Sequence, residues 1–116
     1  MSIKRLHTGP RMSQAVIYGG IVYTAGQVAL EAPGASAAEQ TRDIVQRIDG
    51  LLAEAGTDKS KLLTATIWLA NMDDFAAMNE IWDAWIDPAN PPTRACVESK
   101  LATPDFLVEI RVSAAV

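Results

Sequence analysis

The chain has 116 residues, 49% hydrophobic and 21% charged, which fits a single domain over 1–116 with one core and excludes a disordered chain. Net charge is −4 and the most basic stretch is only Lys4-Arg5, so neither a nucleic-acid backbone nor a membrane surface is expected as partner. One histidine (His7), one cysteine (Cys96) and no run of about 18 apolar residues exclude an intrachain disulfide, a usual zinc site and a membrane-spanning helix.

The start, Met1 to His7, carries no apolar run long enough for a signal peptide, so the reducing cytoplasm is the expected compartment. Ile3 to His7 reads as a short first strand. Gln14 to Tyr18 and Ile21 to Val28 flank Gly19-Gly20, a two-residue hairpin signal because both positions tolerate φ > 0. Ala32-Pro33-Gly34 breaks the chain. Ser36 and Glu39 then have capping-box spacing ahead of Ile44, Val45, Ile48, Leu51, Leu52 and Ala55, a helical stripe that Gly56 ends. Lys61 to Ala70 alternates Leu63, Ala65, Ile67 and Leu69 with Thr64, Thr66 and Trp68, which reads as a central strand.

Asp73 or Asp74 is expected to cap a second helix, with Phe75, Met78, Trp82 and Trp85 as its buried stripe, stopped by Pro88, Pro91 and Pro92. Thr93 to Leu101 and Phe106 to Ala114 are the last two strands. The order β-β-β-α-β-α-β-β gives an α+β fold, two helices on one face of a mixed sheet. The other face would carry Thr64, Thr66, Trp68, Arg94, Cys96 and Glu109, neither a clean solvent face nor a core, so another subunit is expected to cover it.

The last two strands hold the candidate chemistry. In Phe106 to Ala114, Phe106, Val108, Ile110 and Val112 share one face, with Glu109 and Arg111 on the other. Joined as a hairpin with apolar faces matched, they set Lys100 opposite Asp105 and Cys96 opposite Glu109, with Arg94 opposite Arg111 and diagonal to Glu109. An arginine fork binds a carboxylate through two parallel hydrogen bonds, and a nearby carboxylate can hold a water. The pairing therefore suggests small-acid recognition with mild hydrolysis. The plain alternative is a structural Arg94–Glu109 ion pair.

The run Pro92-Thr93-Arg94-Ala95-Cys96-Val97-Glu98, followed by Leu107-Val108-Glu109-Ile110-Arg111-Val112, resembles the signature of the RidA (YjgF) family. Val22-Tyr23-Thr24-Ala25-Gly26-Gln27-Val28 and Asp74-Phe75-Ala76-Ala77-Met78-Asn79 resemble two further family segments, in the same order. The resemblance implies a chorismate-mutase-like α+β fold and a homotrimer with ligand clefts between neighbours. It implies hydrolysis of 2-imino acids to 2-oxo acids and ammonia, with no cofactor and no metal. Arg94 matches the carboxylate clamp, and Glu109 the residue that holds the attacking water. Cys96 matches a cleft-lining cysteine, Ala25 and Gly26 a loop whose backbone touches the imine end, and Asn79 a helix asparagine near the site. Two departures stand out: Ala25 replaces a serine, and Met12 stands near the place of a usual tyrosine.

Other candidates are read as structural. Cys96 lacks a histidine partner in range and reads as an inert thiol. Asp73-Asp74 reads as helix capping, not metal binding, and Trp82 and Trp85 as core. A non-catalytic trimer that binds a small carboxylate or a client protein through the same clefts is the competing function.

Overall fold

The computed structural model describes residues 2–116. Its strands are β1 (Lys4–Leu6), β2 (Ala15–Tyr18), β3 (Ile21–Thr24), β4 (Gln27–Val28), β5 (Leu62–Leu69), β6 (Thr93–Glu98) and β7 (Val108–Ala115), with helices α1 (Ala37–Glu54) and α2 (Phe75–Trp85). They form one mixed sheet in the order β1-β2-β3-β7-β5-β6, and β4 also pairs with β7. Among the described residues only β5 and β6 run parallel. The fold is α+β with two helices and a mixed sheet, as expected.

Local chemistry sets most elements. Gly19 and Gly20 take φ of 62° and 79°, which closes the β2–β3 hairpin with Tyr18 opposite Ile21. Ser36 Oγ accepts from the Glu39 amide at 3.2 Å and starts α1. The helix buries Ile44, Val45, Ile48, Leu51 and Leu52. Of these, Ile44, Val45, Ile48 and Leu52 join Ala65, Ile67 and Leu69 of β5 and Val108, Ile110 and Val112 of β7 in one core. Ile67 and Ile110 face each other across the ladder and are fully buried, so truncating either to alanine costs about 2–5 kcal/mol.

Four expectations need correction. β6 and β7 are not a hairpin: β5 lies between them. Parallel neighbours need a crossover, and α2 supplies it, returning β6 beside β5. The pairs Lys100–Asp105, Cys96–Glu109 and Arg94–Arg111 are therefore not formed. Arg94 is opposite Ala65 and Cys96 opposite Ile67, which puts both on the helix side, away from Glu109. The bare face carries Thr93, Ala95 and Val97 instead, aligned with Thr64, Thr66 and Trp68.

Second, neither Asp73 nor Asp74 caps a helix through its side chain. Asn71 accepts from the Asp73 amide, and Met72–Asp74 form a 3-10 turn that leads into α2. Third, Phe75 is 38% exposed, while Met78, Trp82 and Trp85 are buried as expected. It opens the first turn of α2, at the sheet edge where Arg94 lies. Fourth, the run Ile21 to Val28 is broken. Tyr23 pairs with Ser113 but Gln27 with Ile110, so one extra residue bulges out of the strand around Ala25 and Gly26.

Candidate functional site

Arg94 lies on β6, at the edge of the sheet, and is exposed. Its Nη1 donates to Asn79 Oδ1 at 2.7 Å. Its guanidinium carbon stands 5.8 Å from the Phe75 ring centre and 5.5 Å from that of Trp82. Positions 75, 79 and 82 share one face of α2, so a single helix turns two rings and an amide toward the arginine. No carboxylate among the described residues pairs with Arg94. The expected Arg94–Glu109 ion pair is thus absent. One edge of the guanidinium is anchored, and its other N–H groups are free for an anion.

Cys96 is half-buried on the same edge strand. Burial raises its thiol pKa, and the Arg94 charge only partly opposes this. The thiol stays protonated at neutral pH and lines rather than attacks.

The second group gathers at the bulge. Thr24 Oγ1 accepts from the Val112 amide at 3.0 Å and donates to the Val112 carbonyl at 3.3 Å, filling the gap left in the ladder. The Ala25 amide donates to the Gln14 carbonyl at 2.8 Å. Gln27, only 7% exposed, donates from Nε2 to Ala25 O at 3.2 Å and to Gln14 Oε1 at 2.9 Å. The Ala25 backbone is consumed on both sides, while the Gly26 amide has no partner among the described residues. Gly26 lies directly against Glu109: a Cβ there would come within 2.9 Å of Glu109 Cδ and closer still to Oε2. Glu109 is half-buried on the bare face, opposite Trp68 and Val28, and burial holds its carboxyl above the ordinary range.

The structure therefore brings together Arg94, Asn79 and Cys96 as one group, and Ala25, Gly26 and Glu109 as another. Arg94 and Glu109 are two strands and three residues apart, about 14 Å on flat-sheet spacings, with side chains on opposite faces. Met12 is on the β1–β2 loop, 48% exposed. Pockets of about 550, 380 and 390 Å³ indent the chain, and neither Arg94 nor Glu109 lines any of them. Among the described residues no three His, Cys, Asp or Glu side chains cluster to hold a metal. Sequence reasoning missed Gln27, Gln14 and Phe75. A glutamine inside an apolar strand run was the available signal for Gln27.

A family model described as Endoribonuclease L-PSP matches residues 2–116. The chain belongs to this family, known also as RidA or YjgF. A RutC family protein of Haemophilus ducreyi is 45% identical over 114 residues, covering 98% of this chain and 97% of that one. The RutC family protein YoaB of Escherichia coli is 41% identical over 116 residues, covering all of both chains. Among solved structures, a YjgF-family protein of Neisseria meningitidis superposes with a TM-score of 0.95 at 45% identity, over 99% of this chain and 95% of that one. The mixed sheet with its two helices is thus the RidA/YjgF fold.

Proposed function

We propose that the chain is a homotrimeric imine deaminase. A 2-imino acid, or its enamine tautomer, reacts with water to give a 2-oxo acid and ammonia. Arg94 clamps the substrate carboxylate with the N–H groups that Asn79 leaves free. Glu109, ionised, holds a water and moves one of its protons to the nitrogen as the oxygen adds to the C=N carbon; it then moves the remaining hydroxyl proton to the same nitrogen as the C=O forms, the C–N bond breaks and ammonia leaves. The Gly26 amide is the free donor for the imine end of the substrate. The observation that carries this reading is the preorganised, carboxylate-free guanidinium of Arg94.

Because Arg94 and Glu109 leave the sheet on opposite faces, the reading needs a composite site. Arg94, Asn79 and Cys96 of one copy would face Glu109, Ala25, Gly26 and Met12 of the next. The exposed Tyr18, Tyr23 and Val97 on the bare face support burial against another copy. No helix of the structure is long and apolar enough to cross a membrane; the proposed compartment is the cytoplasm. An RNA-cleaving role has less support, since the net charge is −4 and the one imidazole, His7, is bonded to Glu54.

The test generates imino acids in place with an amino-acid oxidase and traps them with semicarbazide. The protein should suppress trapping, and Arg94→Ala should not, with its assembly intact by light scattering. Wild-type protein no better than buffer across several imino acids overturns the enzyme and leaves the carboxylate-binding module.

A further inference from the structure

The helix side of the bulge holds a hollow of about 380 Å³ between β4, the β1–β2 segment and the C-terminal half of α1. Gln14 and Gln27 line it opposite Gly50 and Leu51. Its ionic groups are already paired: Glu54 with His7 of the same lining at 2.7 Å, and Arg47 with Asp43 at 3.1 Å. It lies across the sheet from Glu109, because Gln27 is opposite Ile110 on the core side.

Two features of the lining bear on what the hollow could hold. The first is Gln27, more than nine-tenths buried. Its nitrogen spends both hydrogens on Gln14 Oε1 and Ala25 O. Its own Oε1 accepts nothing from the described residues. No fully buried side-chain polar atom among them lacks a partner, so this oxygen must touch open space, and the hollow is the space the residue lines. Gln14 Nε2 likewise donates to none of the described residues. The second feature is Gly50. It sits inside an 18-residue helix, where glycine is less favourable than alanine. A Cβ there would meet no atom within 4 Å, and its φ is not in the left-handed region. Gly50 is exposed at the rim of the hollow, so the chain's own packing gives no reason for glycine and leaves room there for a side chain.

We propose that this hollow is a second ligand site for a small neutral primary amide. Gln27 Oε1 offers an acceptor and Gln14 Nε2 a donor, the complement of an amide's N–H and C=O. A carboxylate has no proton for Gln27 Oε1. An ammonium has nothing to accept from Gln14. Leu30 and Leu51 give the ligand's carbon end an apolar wall.

Acetamide is the probe, with acetate and methylammonium as controls, followed by NMR on the intact chain. The side-chain amides of Gln14 and Gln27 and the Gly50 amide should shift saturably with one midpoint, on the order of millimolar for so small a ligand. Acetate should bind at least tenfold more weakly. Gly50→Leu adds a side chain at the exposed rim of the hollow, so it should narrow the mouth and raise the midpoint at least tenfold while thermal stability holds. Absence of saturable shifts, equal response to acetate, or an unchanged midpoint in Gly50→Leu overturns the site. None of these readouts uses turnover, so the amide site and the imine reading fail separately.

Discussion

Two carboxyl oxygens of Glu109 connect the fold to the chemistry. Burial raises this pKa, so the folded chain holds the proton more tightly than the unfolded one does. Below the ordinary glutamate range both states are protonated and the fold carries no penalty. As pH rises through the raised value, the fold must ionise a half-buried carboxylate, and that contribution to stability is lost. Glu109→Gln should therefore match wild-type stability in acid and exceed it at neutral pH, read by thermal melts across pH. Turnover in the same variant should fall about 10²–10⁴-fold. In wild type the acid limb of the activity profile should sit above the ordinary carboxylate range. A melt difference independent of pH would contradict the assignment. In the proposed mechanism Asn79, bonded to the guanidinium, acts through Arg94 rather than on substrate. Asn79→Ala frees the guanidinium, so KM should rise about tenfold with kcat nearly held. A fall in kcat alone would place Asn79 elsewhere.

The bulge at Ala25-Gly26 is the element that, in the proposed mechanism, turns a plain strand into half a site. An unbroken strand from Ile21 to Val28 would keep the β3 register along β7; the extra residue shifts it by one. Gln27 and Gln14 lock the shifted segment, and Gly26 leaves room for Glu109. In Gly26→Ala the new methyl meets the flexible end of Glu109, which can swing aside. The fold should survive with a loss of about 1–3 kcal/mol, but turnover should drop at least tenfold with KM little changed. Wild-type kcat in a folded Gly26→Ala would remove the close approach from the mechanism. The sequence made the helices and the β2–β3 hairpin legible because helical period, the Ser36 cap and Gly19-Gly20 are local signals. The placement of β6 was not legible. Its alternation of Arg94, Cys96 and Glu98 with Ala95 and Val97 fits either face, and the apolar set was assigned to the chain's own core. In the structure that set faces away from the core, and the polar set leans over α2. Arg94 and Glu109 are singled out by chemical type and motif, not by this placement. Their expected adjacency rested on a hairpin that α2 prevents.

At the scale of the whole molecule, one sheet has a core on its helix side and a mixed face on the other. Arg94 stands at the rim of the first and Glu109 in the second, about 14 Å apart and pointing away from each other. In the proposed mechanism joint action therefore falls to two copies, with each cleft taking Arg94 from one and Glu109 from its neighbour. Mixing two dead variants separates this from a site within one chain. Arg94→Ala and Glu109→Gln homotrimers should each be nearly inactive. When the two are unfolded together and refolded as an equal mixture, a cleft recovers both groups whenever Glu109→Gln supplies its arginine side and Arg94→Ala its glutamate side. Random assembly gives that arrangement in one half times one half, about a quarter of the clefts, so about a quarter of wild-type activity should return. Mixing already folded trimers without exchange should restore nothing. If the refolded mixture stays as inactive as its parents while light scattering shows three 12.5 kDa chains, the two residues do not act across an interface.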